Sequence, residues 1–192
     1  MKTINNFMSK LRKHHWTLLS VVIILISGAW IWMSRLTPDD ITSSSIAVPK
    51  EGFQAPNFTL ETSNGETIIL SDLHGKPIVI NFWASWCPPC RAEMPALQST
   101  FEENQERDLI ILAVNTTNQD SIEKAVSFAE EFELTFPILF DRDGSVSRLY
   151  QTSALPTTYF INREGIIEKV VIGGPMSEAL LKSVVEGLLQ EK

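Results

Sequence analysis

The sequence NFWASWCPPCRAEMP, residues 81–95, contains both cysteines of the chain, Cys87 and Cys90. Two thiols are too few for a disulfide framework or, alone, for a four-ligand zinc site, so their close spacing points to chemistry of the pair itself. The overlapping run PIVINFWA, residues 77–84, is short and almost wholly apolar, which is typical of a strand buried on both faces. Cys87 is therefore predicted to lie where a buried strand is followed by a helix.

This position favours a reactive thiolate on Cys87. The first turn of a helix has unpaired N–H groups and the positive end of the helix dipole, and both stabilise negative charge on sulfur. A lowered thiol pKa supplies the nucleophile for thiol–disulfide exchange. Pro88 and Pro89 suit the first helical positions but remove two N–H donors. We therefore expect a thiolate that is less stabilised than in motifs without prolines, and hence a more reducing disulfide.

Composition and charge indicate one globular domain with an N-terminal appendage. The 192 residues include 16 Lys and Arg and 23 Asp and Glu, which gives a net charge of −7. All 23 acidic residues follow Met33, and five of the basic residues lie within positions 1–35. The remaining 11 basic residues leave positions 36–192 with a net charge of −12. A body this acidic is a poor candidate for nucleic-acid binding, so no nucleic-acid partner is expected.

The N-terminus predicts a membrane signal-anchor. Residues 16–33 carry no charge, and a helix of that length would span roughly 27 Å, enough to cross the hydrocarbon core. Residues 1–15 form a basic head, which the positive-inside rule places in the cytoplasm. A cleaved signal peptide is the alternative, because residues 27–29 are small, although apolar residues continue beyond them. Both interpretations place the main domain on the extracytoplasmic side of the cytoplasmic membrane.

The remainder of the chain divides into a linker and a folded domain. Residues 34–52 are polar, with a serine run and two prolines, and are predicted to be a tether. Residues 53–192 alternate strand-like and helix-like segments. Ser63-Asn64-Gly65 separates Phe58–Leu60 from Thr67–Leu70, and this pattern predicts a β-hairpin.

Further strands and helices predict the fold class. The apolar runs at residues 109–114 and 157–161 resemble buried strands. Asp120 and Glu123 resemble a capping box before one helix, and Ser177 is placed to cap the last helix. The predicted apolar face of that last helix consists of Leu180, Leu181, Val184 and Leu188. This order of elements predicts an α/β fold with a mixed central sheet flanked by helices.

Three segments in this order resemble a known family. Residues 81–95 resemble the active-site segment of the thioredoxin superfamily, and SALPTTYFINREG, residues 153–165, resembles the segment that carries its cis-proline. Together with residues 52–83 and the single anchor, they make the chain similar to the membrane-anchored thiol-disulfide oxidoreductases of the ResA and TlpA group. The resemblance covers roughly residues 50 to 190. It implies a thioredoxin-like fold with an N-terminal β-hairpin and a central insertion.

The resemblance also implies roles for individual residues. Cys87 would be the attacking, solvent-facing thiol and Cys90 the resolving thiol, and the two would form a redox disulfide. Pro156 would adopt the cis form beside this pair, and backbone groups of Leu155 would bind an incoming peptide. Trp86 is expected to shield the site. The residues expected to bind substrate or shape the site are Pro156, Leu155, Trp86, Pro88 and Pro89.

Two positions suggest how protons reach the cysteines. Thioredoxin itself has a buried aspartate on the strand before the motif, and this chain has Asn81, which cannot accept a proton. Glu93 lies one helical turn after Cys90, and the ResA-like proteins have a glutamate at the matching place. Glu93 is therefore predicted to transfer protons to and from the cysteine pair, with a pKa raised by burial. The alternative is a solvated glutamate in the first helical turns.

The other conspicuous residues suggest structure more than chemistry. Trp83 is expected to pack in the core, and Pro95 predicts a kink in its helix. No histidine lies near the cysteines in sequence, so copper delivery is disfavoured. No metal and no other cofactor is expected, although the bare cysteine pair leaves soft-metal capture open.

Two alternatives to a disulfide reductase are considered. A thiol-dependent peroxidase of the peroxiredoxin type has a similar N-terminal hairpin, but it needs Thr or Ser three residues before its reactive cysteine, where this chain has Ala84. A non-catalytic thiol- or metal-binding module would use the same residues and differ only in whether electrons flow. Activity against a protein disulfide, with and without Cys90, separates this third interpretation from the first.

The predicted location determines which partners the reductase needs. Outside the cytoplasm there is no bulk pool of glutathione or thioredoxin, so electrons must be carried across the membrane. The resemblance implies an integral membrane thiol carrier as donor and an extracytoplasmic protein disulfide as substrate. The best-known substrate in this group is the CxxCH haem site of apocytochrome c, which is reduced during cytochrome c maturation.

Overall fold

A computed structural model describes residues 21–30 and 47–190 of the chain. The chain separates into two units, Met1–Ser44 and Ser45–Lys192. In the first unit, residues 21–30 are helical (α1). Within the described parts of the chain, no helix is long and apolar enough to cross a membrane. The predicted basic head and parts of the predicted anchor and linker lie outside the described residues.

The second unit is built on a mixed five-stranded sheet with the strand order β5-β4-β3-β6-β7. Its strands are β3 (Ile78–Trp83), β4 (Ile110–Asn115), β5 (Ile138–Phe140), β6 (Thr157–Ile161) and β7 (Ile167–Ile172). Strand β4 is parallel to both β3 and β5, whereas β6 is antiparallel to both β3 and β7. The predicted mixed central sheet is confirmed.

Four helices accompany this sheet. They are α2 (Pro88–Asn104), α3 (Ile122–Glu131), α4 (Ser145–Leu149) and α5 (Glu178–Gln190). Short 3-10 turns lie at Leu70–Leu73, Gln105–Arg107 and Thr117–Gln119. The segment from α3 to α4, including β5, separates the β3-α2-β4 half from the β6-β7-α5 half. This arrangement is a thioredoxin-like α/β fold with a central insertion.

Strand β3 lies at the centre of the sheet, and all six of its residues are buried. Val79 and Trp83 belong to an apolar cluster formed with α2, α3 and α5. Ile80 and Phe82 belong to a second cluster on the opposite face of the sheet. This cluster is formed with α4 and with the N-terminal segment, residues 54–62. The two faces alternate because successive side chains of a strand point in opposite directions. The chain after β3 therefore starts from a rigid, fully buried element, as the apolar run predicted.

An N-terminal hairpin precedes this core. Strands β1 (Thr59–Glu61) and β2 (Thr67–Ile69) pair antiparallel across the predicted turn, where Gly65 has a φ of 85°. The segment leading into the hairpin forms a bridge from Gln54 to Ile166, immediately before β7. The residue after β1, Thr62, bridges to Leu139 of β5. Backbone from one short segment thus reaches both outer strands of the sheet.

One of the two predicted helix caps is revised and the other is confirmed. The cap of α3 is Ser121, whose Oγ accepts from the Lys124 N–H, and the predicted cap Asp120 instead bonds to Ser85. Asp and Ser both suit an N-cap, so adjacent candidates are not separated by sequence. Ser177 does cap the last helix, with its Oγ accepting from the Leu180 N–H. The buried face of α5 is Leu181, Val185 and Leu188, and Val184 packs against the same cluster partly buried. The prediction was wrong for Leu180, which is 41 % exposed.

Pro95 lies inside α2, which continues through it to Asn104. The kink predicted at this position stays a prediction. Pro95 is exposed, so its ring lies on the outer side of the helix, away from the sheet. The face of α2 that meets the core carries Cys90, Met94 and Leu97. The proline therefore leaves the buried face of α2 intact.

Tyr150 fastens the N-terminal segment to the second face of the sheet. The residue is fully buried, and its ring lies 5.9 Å from that of Phe58 and 5.3 Å from that of Phe82. Its hydroxyl donates to the carbonyl oxygen of Pro56 at 2.7 Å. Because Pro56 is also buried, this carbonyl depends on the tyrosine for its hydrogen bond.

Tyr150→Phe tests this attachment. The variant leaves the buried Pro56 carbonyl without a donor, so the free energy of unfolding should fall by about 1–3 kcal/mol. Urea denaturation followed by circular dichroism measures the change. The exposed neighbour Leu149 provides a matched control, since Leu149→Ala should change the free energy by no more than about 0.5 kcal/mol. Equal stability of Tyr150→Phe and the wild type would contradict the proposed attachment.

Candidate active site

Cys87 and Cys90 form a disulfide at the start of α2, with their Cα atoms 5.3 Å apart. Cys87 is the N-cap of the helix, and Pro88 and Pro89 fill its first two positions. The N–H of Cys90 donates to Cys87 Sγ at 3.3 Å. Because proline has no N–H, the first backbone N–H of the helix is that of Cys90, and it is directed at the sulfur of Cys87. In the reduced protein this contact stabilises a thiolate on Cys87 in preference to Cys90.

The expectation that Cys87 faces the solvent is wrong for this disulfide form. Cys87 is only 2 % exposed, and Cys90 is fully buried. Cys87 lies at one side of a cleft of about 280 Å³, which is also lined by Trp86, Thr116 and the segment 152–155. All the side chains that line this cleft are uncharged. A substrate must therefore enter the cleft before its sulfur reaches Cys87.

The two tryptophans of the motif differ as expected. Trp83 is fully buried and packs against Phe128, with ring centroids 4.6 Å apart. Trp86 is 53 % exposed at the side of the cleft, and its Nε1–H donates to the carbonyl oxygen of Gln119 at 2.9 Å. The packing role of Trp83 is confirmed. The position of Trp86 beside Cys87 suits shielding, and that role stays a prediction.

The predicted cis-proline is present. The Leu155–Pro156 peptide is cis, Pro156 is buried, and Leu155 lines the cleft. A second cis peptide, Gly174–Pro175, lies in the loop between β7 and α5 and was not predicted from the sequence. The N–H of Gly173 in that loop donates to the carbonyl oxygen of Pro156 at 2.8 Å. The two cis-proline loops are therefore hydrogen-bonded to each other.

Glu93 is buried beneath this second loop. The residue is 2 % exposed, so the alternative of a solvated glutamate is wrong. Its Oε1 accepts from Asn81 Nδ2 at 2.8 Å, and its Oε2 accepts from the backbone N–H of Met176 at 3.0 Å. Asn81 also donates to Thr158 Oγ1 at 2.9 Å. The amide that takes the place of the thioredoxin aspartate is thus a direct hydrogen-bond partner of Glu93.

Comparison with known proteins identifies the family. Residues 52–170 match the AhpC/TSA family. The chain belongs to this family. It is 37 % identical over 177 residues to the thiol-disulfide oxidoreductase ResA of Oceanobacillus iheyensis, covering 90 % of this chain and 85 % of that protein. It is 38 % identical over 157 residues to the thioredoxin-like protein YneN of Bacillus subtilis, covering 81 % of this chain and 89 % of that protein.

A solved structure agrees with this assignment. A secreted disulfide oxidoreductase of Mycobacterium tuberculosis, described as homologous to DsbE of E. coli, superposes with a TM-score of 0.63. It is 29 % identical, and the match covers 68 % of this chain and 96 % of that protein. Within the AhpC/TSA family, the chain is a thiol-disulfide oxidoreductase of the ResA type.

Neither alternative chemistry gains support from the site of this oxidoreductase. Ala84 is buried and offers no hydroxyl to orient a peroxide. The adjacent Ser85 has a hydroxyl, but it donates to Asp120 Oδ1 at 2.6 Å and is already engaged. For metals, the described residues contain no group of three or more His, Cys, Asp or Glu side chains that could hold an ion. The disulfide pair is the reactive group that the geometry supports.

Asp120, which was predicted to be a helix cap, instead forms hydrogen bonds close to the active site. Its carboxylate accepts from the N–H of Ser85 at 2.6 Å and from Asn115 Nδ2 at 2.9 Å, in addition to the Ser85 hydroxyl. Burial raises the pKa of Asp120, but these hydrogen bonds outweigh it and lower the pKa. The carboxylate therefore ties the turn before Cys87 to the loop after β4. The parallel pairing of β3 and β4 is the signal that places these loops side by side.

The environment of Glu93 suits proton transfer in this oxidoreductase. Burial raises the pKa of its carboxyl above the ordinary value, and the hydrogen bonds from Met176 and Asn81 offset only part of that increase. A carboxyl with a raised pKa exchanges protons at a pH closer to neutral. The carboxyl lies one helical turn from Cys90. Its action on the cysteine pair stays a prediction.

Glu93→Gln tests that action. An ionised Glu93 opposes thiolate formation, so its removal should lower the apparent pKa of the thiols and slow turnover with a protein disulfide. The fold should be retained, because the Asn81 amide can turn its unpartnered oxygen towards the new amide group. The measurement is alkylation rate against pH, which reports macroscopic values for the coupled groups. The exposed Glu106 provides the control variant Glu106→Gln, and superimposable profiles for wild type and Glu93→Gln would exclude the role.

The oxidised protein isolates the titration of Glu93, because disulfide-bonded cysteines do not titrate. A raised folded-state pKa means that Glu93 contributes stability below its unfolded pKa of about 4.3, and that this contribution is lost as pH rises through the folded value. The free energy of unfolding of the wild type, relative to Glu93→Gln, should therefore decrease with rising pH above that point. A constant difference between the two proteins would show that burial does not perturb this carboxyl.

Proposed function

We propose that the protein is an extracytoplasmic disulfide reductase, held at the cytoplasmic membrane by a single N-terminal span. The start of α2 supports reduction as the direction of the reaction. Because two prolines occupy the first helical positions, the donor to Cys87 Sγ is the Cys90 N–H. A strongly oxidising pair requires a reduced form that is highly stabilised. Here few donors stabilise the thiolate, and the carboxyl of Glu93 lies one turn away, so the reduced pair readily gives up its electrons.

The proposed reaction is a balanced thiol–disulfide exchange. The Cys87 thiolate attacks one sulfur of the substrate disulfide, forms a mixed disulfide and releases the second substrate sulfur as a thiolate. Cys90 then loses its proton to Glu93 and attacks Cys87 Sγ, which releases the first substrate sulfur. The substrate gains two electrons and, after protonation, two thiols, while Cys87 and Cys90 become the disulfide.

The proposed location requires an electron donor within the membrane. The uncharged segment 16–33 behind a basic head supports a single-pass anchor with its N-terminus inside. A relative described as secreted supports a domain outside the cytoplasm. No glutathione pool is available there, so we propose an integral membrane thiol carrier as donor. The similarity to ResA supports extracytoplasmic protein disulfides as substrates, with the CxxCH site of apocytochrome c as the specific candidate in cytochrome c maturation.

The reduction potential tests the direction. We expect a value below about −200 mV, nearer to thioredoxin at about −270 mV than to DsbA at about −120 mV. Equilibration with redox buffers of known potential provides the measurement. Pro89→Ala is a matched variant that restores an N–H able to donate to Cys87 Sγ, so its potential should be higher than that of the wild type. A wild-type potential above about −150 mV would mean that the protein donates disulfides.

A trapping experiment tests the location and the partner together. Cys90→Ala cannot resolve the mixed disulfide, so substrates should remain attached to Cys87, and we expect extracytoplasmic proteins that include apocytochrome c. Cys87→Ala lacks the attacking thiol and should retain none of them.

Protease added to intact, wall-stripped cells should remove the domain and leave the N-terminal head protected.

Four results would contradict these proposals. Capture of cytoplasmic proteins alone, or full protection of the domain from added protease, would exclude the extracytoplasmic location. Equal activity of Cys90→Ala and wild type in multiple-turnover reduction of a protein disulfide would exclude the resolving role of Cys90. A wild type that captures partners through Cys87 but reduces none of them would indicate a binding module.

A further inference from the structure

The segment Gly173–Met176, in the loop between β7 and α5, contacts two parts of the active site. Its first residue donates a hydrogen bond to the carbonyl oxygen of Pro156, 2.8 Å away, and its last donates to Glu93 Oε2, 3.0 Å away. The Met176 side chain is buried in the apolar cluster that contains both cysteines. The loop thus joins the cis-proline segment to the buried carboxyl through its own backbone.

Gly174 lies at the centre of this contact. A Cβ atom on Gly174 would be 2.7 Å from Cγ of Pro156, 3.1 Å from Cδ of the same ring and 3.0 Å from Glu93 Oε2. The proline ring is rigid and buried, and the carboxylate is held at both oxygens by Asn81 and Met176. Neither neighbour can move away without breaking a contact of the site.

We infer that Gly173–Met176 is a positioning element of the active site and that Gly174 is its positioning residue, because its bare Cα lets the loop close onto Pro156 and hold the Glu93 carboxylate away from water. The inference deepens the proposed function, since it concerns the same carboxyl. The groups bonded to that carboxyl, Asn81 Nδ2 from β3 and the Met176 N–H from the loop, are both neutral. One turn earlier on its own helix lies Cys90, whose thiol is titratable in the reduced protein.

A methyl group at position 174 should displace one side of this contact. Gly174 is exposed on its outer side, so the loop has room to move outward at this residue. Such a shift lengthens the hydrogen bond from Met176 to Glu93 and admits water to the carboxyl. Glu93 then titrates more like an ordinary glutamate, with a lower pKa than in the wild type.

Gly174→Ala tests the inference, and the backbone itself tolerates this change. The φ of Gly174 is not positive, so alanine can adopt its backbone conformation, and any effect comes from the contact. Gly187 lies in α5 with nothing within 4 Å of an added Cβ, so Gly187→Ala is the matched control. The first measurement is the NMR titration of the Glu93 carboxyl in the oxidised protein. Its pKa should fall in Gly174→Ala and stay unchanged in Gly187→Ala.

The second measurement is activity. Turnover with a protein disulfide should fall in Gly174→Ala, by up to about 100-fold if the reactive groups shift by about 1 Å. The pH profile of thiol alkylation should move towards that of Glu93→Gln. In the double variant with Glu93→Gln, the alanine should cause no further shift of that profile, because the charge it acts through is absent.

The outcomes separate this inference from the proposed function. An unchanged Glu93 titration in Gly174→Ala overturns the inference, whatever the activity shows. A shift of the alkylation profile that persists in the Glu93→Gln background also overturns it, because the loop would then act through another group. If the Glu93 titration moves but Glu93→Gln leaves the thiols and turnover unaffected, the loop does position Glu93, and the proton-transfer role in the proposed function fails instead.

Discussion

The buried carboxyl of Glu93 sets the constraint on which the active site depends. An ionisable group inside a protein is costly unless it is hydrogen-bonded, so the fold must bring donors to both of its oxygens. One donor comes from Asn81 on the central strand and the other from the Met176 N–H in the loop after β7. The carboxyl therefore joins α2, the sheet and that loop at one point, one turn along the helix from Cys90.

Sequence patterns predicted the parts of the fold that local physics determines. The apolar run of β3, the hairpin around Gly65 and the prolines after Cys87 all express preferences of a few neighbouring residues. The partners of Glu93 could not be predicted in this way, because the Met176 donor is a backbone N–H, which nearly every residue has. Asp120 was wrongly predicted to be a helix cap, because its local sequence suits that role. The tertiary structure instead brings it to Ser85, whose N–H donates to its carboxylate.

The order of the elements also explains how the sheet is protected. An exposed outer strand offers unpaired N–H and C=O groups to any other extended chain. In this chain the bridges of Gln54 to Ile166 and of Thr62 to Leu139 place backbone from the N-terminal segment against both outer strands. These bridges therefore occupy backbone groups at each side of the sheet that would otherwise be free to pair with another chain.

The uncharged lining of that cleft has a consequence for the kinetics of partner association. Residues 36–192 carry a net charge of −12, whereas the lining of the cleft next to Cys87 is neutral. Long-range attraction of a basic partner therefore arises from the body of the domain, and it weakens as salt screens the field. The short-range fit inside the cleft does not depend on that field. For a basic partner, ionic strength thus affects the association rate, while the fit inside the cleft affects the dissociation rate.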